Sequence, residues 1–200
     1  MLPGTDRDLL IYRRCRRLRD FGTALDAAWR YYYRSGQESF QDSILALYVQ
    51  SANFTSAIIL ASDLTEEQPQ NAFAWEMLAM TRQALNQKEE AVIAYQQVWQ
   101  LKKQAYHLYQ VASLQFQLER IGECKQNCQQ LLDMDIPAGE QVRLLQGKES
   151  QDVPLAAAVW NLKGNLALYK KDEKTARMAF EKALEIFPAF SLAKNNLKGI

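Results

Sequence analysis

Residues Ala176 to Pro188 read ARMAFEKALEIFP, and this stretch decides the fold. A small residue at 176 is followed four positions later by Phe180 and three later by Ala183, which lines one face of a helix. Pro188 then stops the helix, because it has no N–H and disfavours helix in the residue before it. The same small-x3-small-or-aromatic-x2-apolar pattern recurs as Ala91, Tyr95, Val98 and as Ala57, Ala61, Leu64. Looser copies are Ala24, Ala28, Tyr31 and Cys124, Cys128, Leu131. The anchors are spaced by 33 (Ala24 to Ala57), 34 (to Ala91) and 33 (to Cys124). The last interval, Cys124 to Ala176, is 52, which is one period of 34 plus 18. Five copies of a two-helix unit follow, at about 5–37, 38–71, 72–104, 105–138 and 157–190, with a C-terminal helix over 191–200. One helix pair cannot bury its own apolar face, so the pairs stack into a single 1–200 solenoid domain with a shared core.

The interval of 18 marks an insertion at about 139–156. It carries two Gly and one Pro, and Val142 and Leu144 alternate with Gln141 and Arg143. That alternation predicts a short strand, which Gly147-Lys148-Glu149-Ser150 would turn back toward Val153. The segment is a small β-hairpin or an ordered loop. Asp172 falls where the last pair must turn, and Asp favours turns and helix N-caps.

A period near 34 resembles the tetratricopeptide repeat, whose signature is W-x2-L-G-x2-Y, then A-x3-F, then P. Trp75 and Leu78 carry the opening in one copy, with Ala79 at the Gly position. Trp160 and Gly164 carry it in the last, although Lys163 stands where Leu is usual. Tyr48 holds the first-helix Tyr of the second copy, and Pro69 and Pro188 close two copies. The resemblance implies an all-α superhelix of helix pairs. It also implies a concave surface lined by the first helix of each pair. Carried over by register, the groove positions include Asp42, Glu76, Met80, Tyr106, Tyr109, Ser113, Phe116, Asn161, Asn165 and Tyr169. Amides can bond an extended peptide and aromatics can anchor it. The Lys, Asn and Arg set with which some relatives clamp a C-terminal carboxylate is absent, and Asp42 stands where that set would have Lys.

Composition narrows the function classes. Hydrophobic residues make up 48% of the 200 and charged residues 24%, as in ordinary folded proteins. The net charge of +1 gives no global reason to expect nucleic acid or an anionic membrane as partner. No run of about 18 apolar residues is present, so no membrane span is expected. The start, MLPGTDRDLL, lacks the apolar core of a signal peptide. Three cysteines cannot all pair internally and suit a reducing, cytoplasmic compartment.

Few motifs compete with the repeat. Cys124 and Cys128 share one helix face and could supply two metal ligands, but they sit in register with the small core residues of the other copies. Asn53-Phe54-Thr55 matches a glycosylation sequon but falls at an interhelix turn, and is read as structural. His107 is the only histidine, which argues against a His-based metal site or triad. There is no phosphate loop, dinucleotide fingerprint or nucleophile elbow. The one local anomaly is RRCRRLR, Arg13 to Arg19. Arg13, Arg16 and Arg17 would face the groove, gripping an acidic peptide, a phosphate or a nucleic acid backbone; otherwise they form the solvated face of a capping repeat.

The reading is a non-enzymatic scaffold that binds a peptide or partner segment in its groove, with Arg13 and Arg17 among the groove residues. It has no cofactor, no metal and no small-molecule substrate, and nucleic acid is not an expected partner. The alternative is a structural or oligomerisation module of a larger assembly, including a homo-oligomer.

Overall fold

The computed structural model describes residues 4–146 and 149–200. The described residues form five helix pairs, the first four at the 33/34 spacing and the fifth after the insertion: α1 (Gly4–Arg17) with α2 (Phe21–Ser35), and α3 (Gln41–Gln50) with α4 (Phe54–Glu67). Then come α5 (Ala72–Ala84) with α6 (Lys88–Lys102), α7 (Ala105–Gln117) with α8 (Ile121–Leu132), and α9 (Leu155–Tyr169) with α10 (Glu173–Ile186). A 3-10 turn, Glu38–Phe40, leads into α3, and α11 (Ser191–Lys198) follows the last pair. The all-α fold of stacked helix pairs is the one the period predicts.

The turn inside each pair repeats with the same period. Arg19, Ala52, Asn86, Glu119 and Lys171 all adopt left-handed φ, between 55° and 61°. In every case the next residue donates its N–H to a carbonyl five positions back, at 2.9 Å: Asp20 to Cys15, Asn53 to Tyr48, Gln87 to Arg82, Arg120 to Gln115, Asp172 to Ala167. This closure satisfies the carbonyls that a helix C-terminus leaves unpaired. Three of those donors then cap the following helix. Side-chain oxygens of Asp20, Asn53 and Asp172 accept from the N–H of Thr23, Ser56 and Thr175. The Asn53 sequon position is thus an N-cap, and Asp172 performs the turn role expected of it.

The helices gather into two compact units, Met1–Leu101 and Lys102–Ile200. In the first, α2 packs on α3 and α4 on α5, and the first helices α3 and α5 touch each other. The entry pair is locked by a buried carboxylate: Asp8 on α1 accepts from Arg30 Nε at 3.1 Å and from Arg34, both on α2.

In the second unit α7 packs on α8 and α9, and α10 packs on α9 and α11. The insertion is an antiparallel hairpin of β1 (Gln141–Gln146) and β2 (Glu149–Pro154). Gly147 and Lys148, half of the expected turn, lie outside the described residues. Val142 and Val153 are register partners and both are buried. Arg143 forks onto Asp152 across the exposed face at 2.7 and 2.8 Å. The hairpin region also braces its neighbours. Glu140 Oε1 accepts the N–H of Tyr106 in the first turn of α7, a helix with no side-chain N-cap of its own. Gln151 grips the turn before α11 with both ends of its amide, donating to Ala189 O and accepting from Ser191 N.

Candidate peptide-binding surface

In the first unit the groove candidates lie on α1, α3 and α5. Arg13 and Arg17, one turn apart near the end of α1, are both exposed. They line a cleft of about 420 Å3 together with Arg16, Arg19, Phe21 of α2 and Gln50 of α3. Asp42 is half-buried and accepts from Asn71 Nδ2 at 3.1 Å. Asn71 in turn caps α5 by accepting from Ala74 N at 3.0 Å, so Asp42 is tied to the start of the next pair. Glu76 and Met80 sit one turn apart on α5, Glu76 half-exposed and Met80 40% exposed.

In the second unit α7 is closely enclosed, with nine of its thirteen residues buried. Tyr106, Ser113 and Phe116 keep partial exposure. Tyr109 departs from the expected groove position. It is 5% exposed, and its phenol feels the Cys128 and Cys124 side chains of α8. The reason is enclosure: α7 is buried over most of its circumference, so this position lies inside the packed helices and not on an open face. On α9, Asn161 is also buried rather than open, at 6% exposure. Its Oδ1 and that of Asn165 both accept from Asn196 Nδ2 of α11, at 3.1 Å each. The C-terminal helix therefore engages the amide oxygen of each, an acceptor that a peptide would need. Tyr169, at the end of α9, is 55% exposed.

Sequence reasoning missed Asn196, Glu140 and Gln151. Each acts across a gap of more than 30 residues, and nothing in its local pattern points to the partner. Burial pushes the thiols of Cys124 and Cys128 up, to about 12 and about 11. Among the described residues no group of three or more His, Cys, Asp or Glu is placed to hold a metal ion, and no helix is long and apolar enough to cross a membrane.

No curated protein matches the chain in sequence. The tetratricopeptide repeat profile matches residues 74–104 and 157–190. Solved structures share the fold at low identity. A crystal structure of MamA has a TM-score of 0.72 at 16% identity, covering 92% of this chain and 91% of that one. MamA from Desulfovibrio magneticus RS-1, residues 41 to the end, gives 0.71 at 15%, covering 96% and 99%. YrrB, described as a TPR protein with an unusual peptide-binding site, gives 0.72 at 16%, covering 94% and 88%. Two of its helix pairs thus match the tetratricopeptide repeat in sequence, and the chain shares the paired-helix fold of these structures.

Proposed function

We propose that this protein is a non-enzymatic interaction scaffold that holds an extended segment of a partner protein against the first helices of its pairs. The fold is a protein-interaction fold, and one structure that shares it, YrrB, is a TPR protein with a peptide-binding site. The observation that carries the reading is on α5. Met80 is an apolar side chain left 40% exposed, one turn from the half-exposed carboxylate of Glu76. An apolar anchor beside a polar group is the make-up of a peptide contact. The free thiols, Cys15 among them, fit a reducing, cytoplasmic setting for this work.

Glu76→Ala with Met80→Ala, in one variant, is expected to weaken a captured partner about tenfold in direct titration, with little change in thermal midpoint. Unchanged affinity in the folded variant would put the contact elsewhere.

A second reading, a module for assembly, is favoured by Ile59 on α4 and Ile93 on α6. Both are exposed, and each lies two residues after its repeat anchor, Ala57 or Ala91. Sedimentation at rising concentration tests its self-associating form: reversible dimerisation supports it, and a strict monomer removes it.

A further inference from the structure

The groove reading counts Arg13 and Arg17 among its residues but does not say what the end of α1 would hold. Arg13, Arg16, Arg17 and Arg19 converge on one cleft of about 420 Å3. Among the described residues none of these four guanidiniums has a carboxylate partner, and the one side-chain bond they make is Arg16 to the hydroxyl of Tyr12 at 3.3 Å. The same helix pair neutralises arginine where arginine is structural, since Arg30 and Arg34 share the buried Asp8. The partial negative charge at the C-terminus of α1 favours cations in its last turn. It does not account for Arg19, which lies past the helix, or for Gln50, which α3 brings to the same cleft. Four like charges held together without a counter-charge are unfavourable until an anion joins them.

The residue type and its surroundings say which anion. Residues 1–81 contain eight Arg and no Lys. The planar guanidinium fork matches a carboxylate or a phosphate with two parallel bonds, as a Lys ammonium does not. Beyond the first pair the charge reverses: residues 35–81 hold six acidic side chains and no Lys or Arg. A long polyanion would be repelled there, whereas a short acidic run would end inside the cleft. Tyr12 is buried and Phe21 half-buried, so the cleft offers a base at most one partly covered ring on which to stack. We infer that this cleft binds a short run of Asp and Glu side chains in the partner protein. The inference rests on the scaffold reading and gives its partner a charge.

Fluorescence anisotropy on the full chain at low salt tests it, with four labelled probes: a Glu/Asp/Ser peptide, its Gln/Asn/Ser counterpart, a neutral peptide bearing one phosphoserine, and single-stranded DNA. The acidic peptide is expected to bind at least about tenfold more tightly than the amide peptide, and to weaken as salt is raised. Arg13→Gln with Arg17→Gln should cost about tenfold, and the double Lys variant, which keeps charge but loses the fork, should fall between. Helical circular dichroism melts check that both variants stay folded. Equal binding of acidic and amide peptides, affinity untouched by the Gln pair, or preference for phosphoserine or DNA would each overturn the inference. The Glu76→Ala, Met80→Ala variant should keep the acidic peptide. Failure of the α5 contact and failure of the cleft are therefore separate results.

Discussion

Gly164→Ala is expected to destabilise the Lys102–Ile200 unit by about 2 kcal/mol, although Ala is the better helix former. Gly164 lies inside α9, facing the ring of Phe180 on α10. A Cβ at 164 would fall 2.6 Å from Cδ1 and 2.7 Å from Cζ of that ring, and closer still to Cε1. Carbon atoms rest about 3.5–4.0 Å apart, so either the ring or the helix must give way. Phe180 is fully buried and packs in a cluster with Ala167 and Ala176, bordered by Leu168, Leu197 and Ile200. Its ring therefore has little room to retreat. Relief of the glycine penalty returns about 1 kcal/mol, and overpacking at this closeness costs about 3, so the clash wins. Urea unfolding measures the net. Phe180→Leu alone opens a cavity, but in the double variant the smaller side chain makes room for the new methyl. The two losses should fall short of additive by about 1 kcal/mol or more. A rise in the midpoint on Gly164→Ala would show that close approach is not what the glycine provides.

The same geometry explains how much of the fold was legible beforehand. In each pair one position of the first helix and one of the second, sixteen apart, are both buried: Tyr12 and Ala28, Leu45 and Ala61, Ala79 and Tyr95, Ala112 and Cys128, Gly164 and Phe180. In the first two pairs the first is large and the second small, in the third and fifth the order reverses, and in the fourth both are small. Small residues at a fixed period therefore signal helix approach, which is why the pairs, the turns and the insertion could be located from residue spacing. The groove was less legible, because register says which way a position points but not what lies opposite. Asn161 and Asn165 stand at groove positions, yet Asn196, 35 and 31 residues on, donates to both amide oxygens. Tyr109 likewise stands at a groove position by register, yet it is buried in the packing around α7. The arginine run was visible as a cluster, but its meeting with Phe21 and Gln50 depends on how three helices come together.

Raising the pH above 9 is expected to destabilise the Lys102–Ile200 unit by several kcal/mol, and the buried thiols of α8 should account for much of it. Burial is the main cause that lifts Cys124 from an ordinary 9.0 to about 12, with the Cys128 charge adding to it. Burial also lifts Cys128 from 9.0 to about 11, against a pull downward from Lys163. Tyr109, first through burial and then through the two sulfurs, is raised as well. In the unfolded chain the thiols lose their protons near pH 9, while the folded chain retains them. Above that pH the unfolded state binds fewer protons, so stability is complete below about 9 and declines as pH rises through about 11 to 12, by up to about 1.4 kcal/mol per pH unit per group. Urea midpoints in reducing buffer between neutral and strongly alkaline pH will show this. Cys124→Ala with Cys128→Ala is the control, because Ala holds the equivalent positions 57 and 61. The double variant loses some packing at neutral pH but should show a shallower alkaline decline than the native chain. Parallel declines would mean that the thiols are not the source. The same shift bears on what the pair can do. At neutral pH both sulfurs stay protonated, whereas nucleophiles and metal ligands are thiolates. Two cysteines one turn apart, which in sequence could have been ligands, therefore serve this repeat as small buried side chains that let α7 and α8 approach.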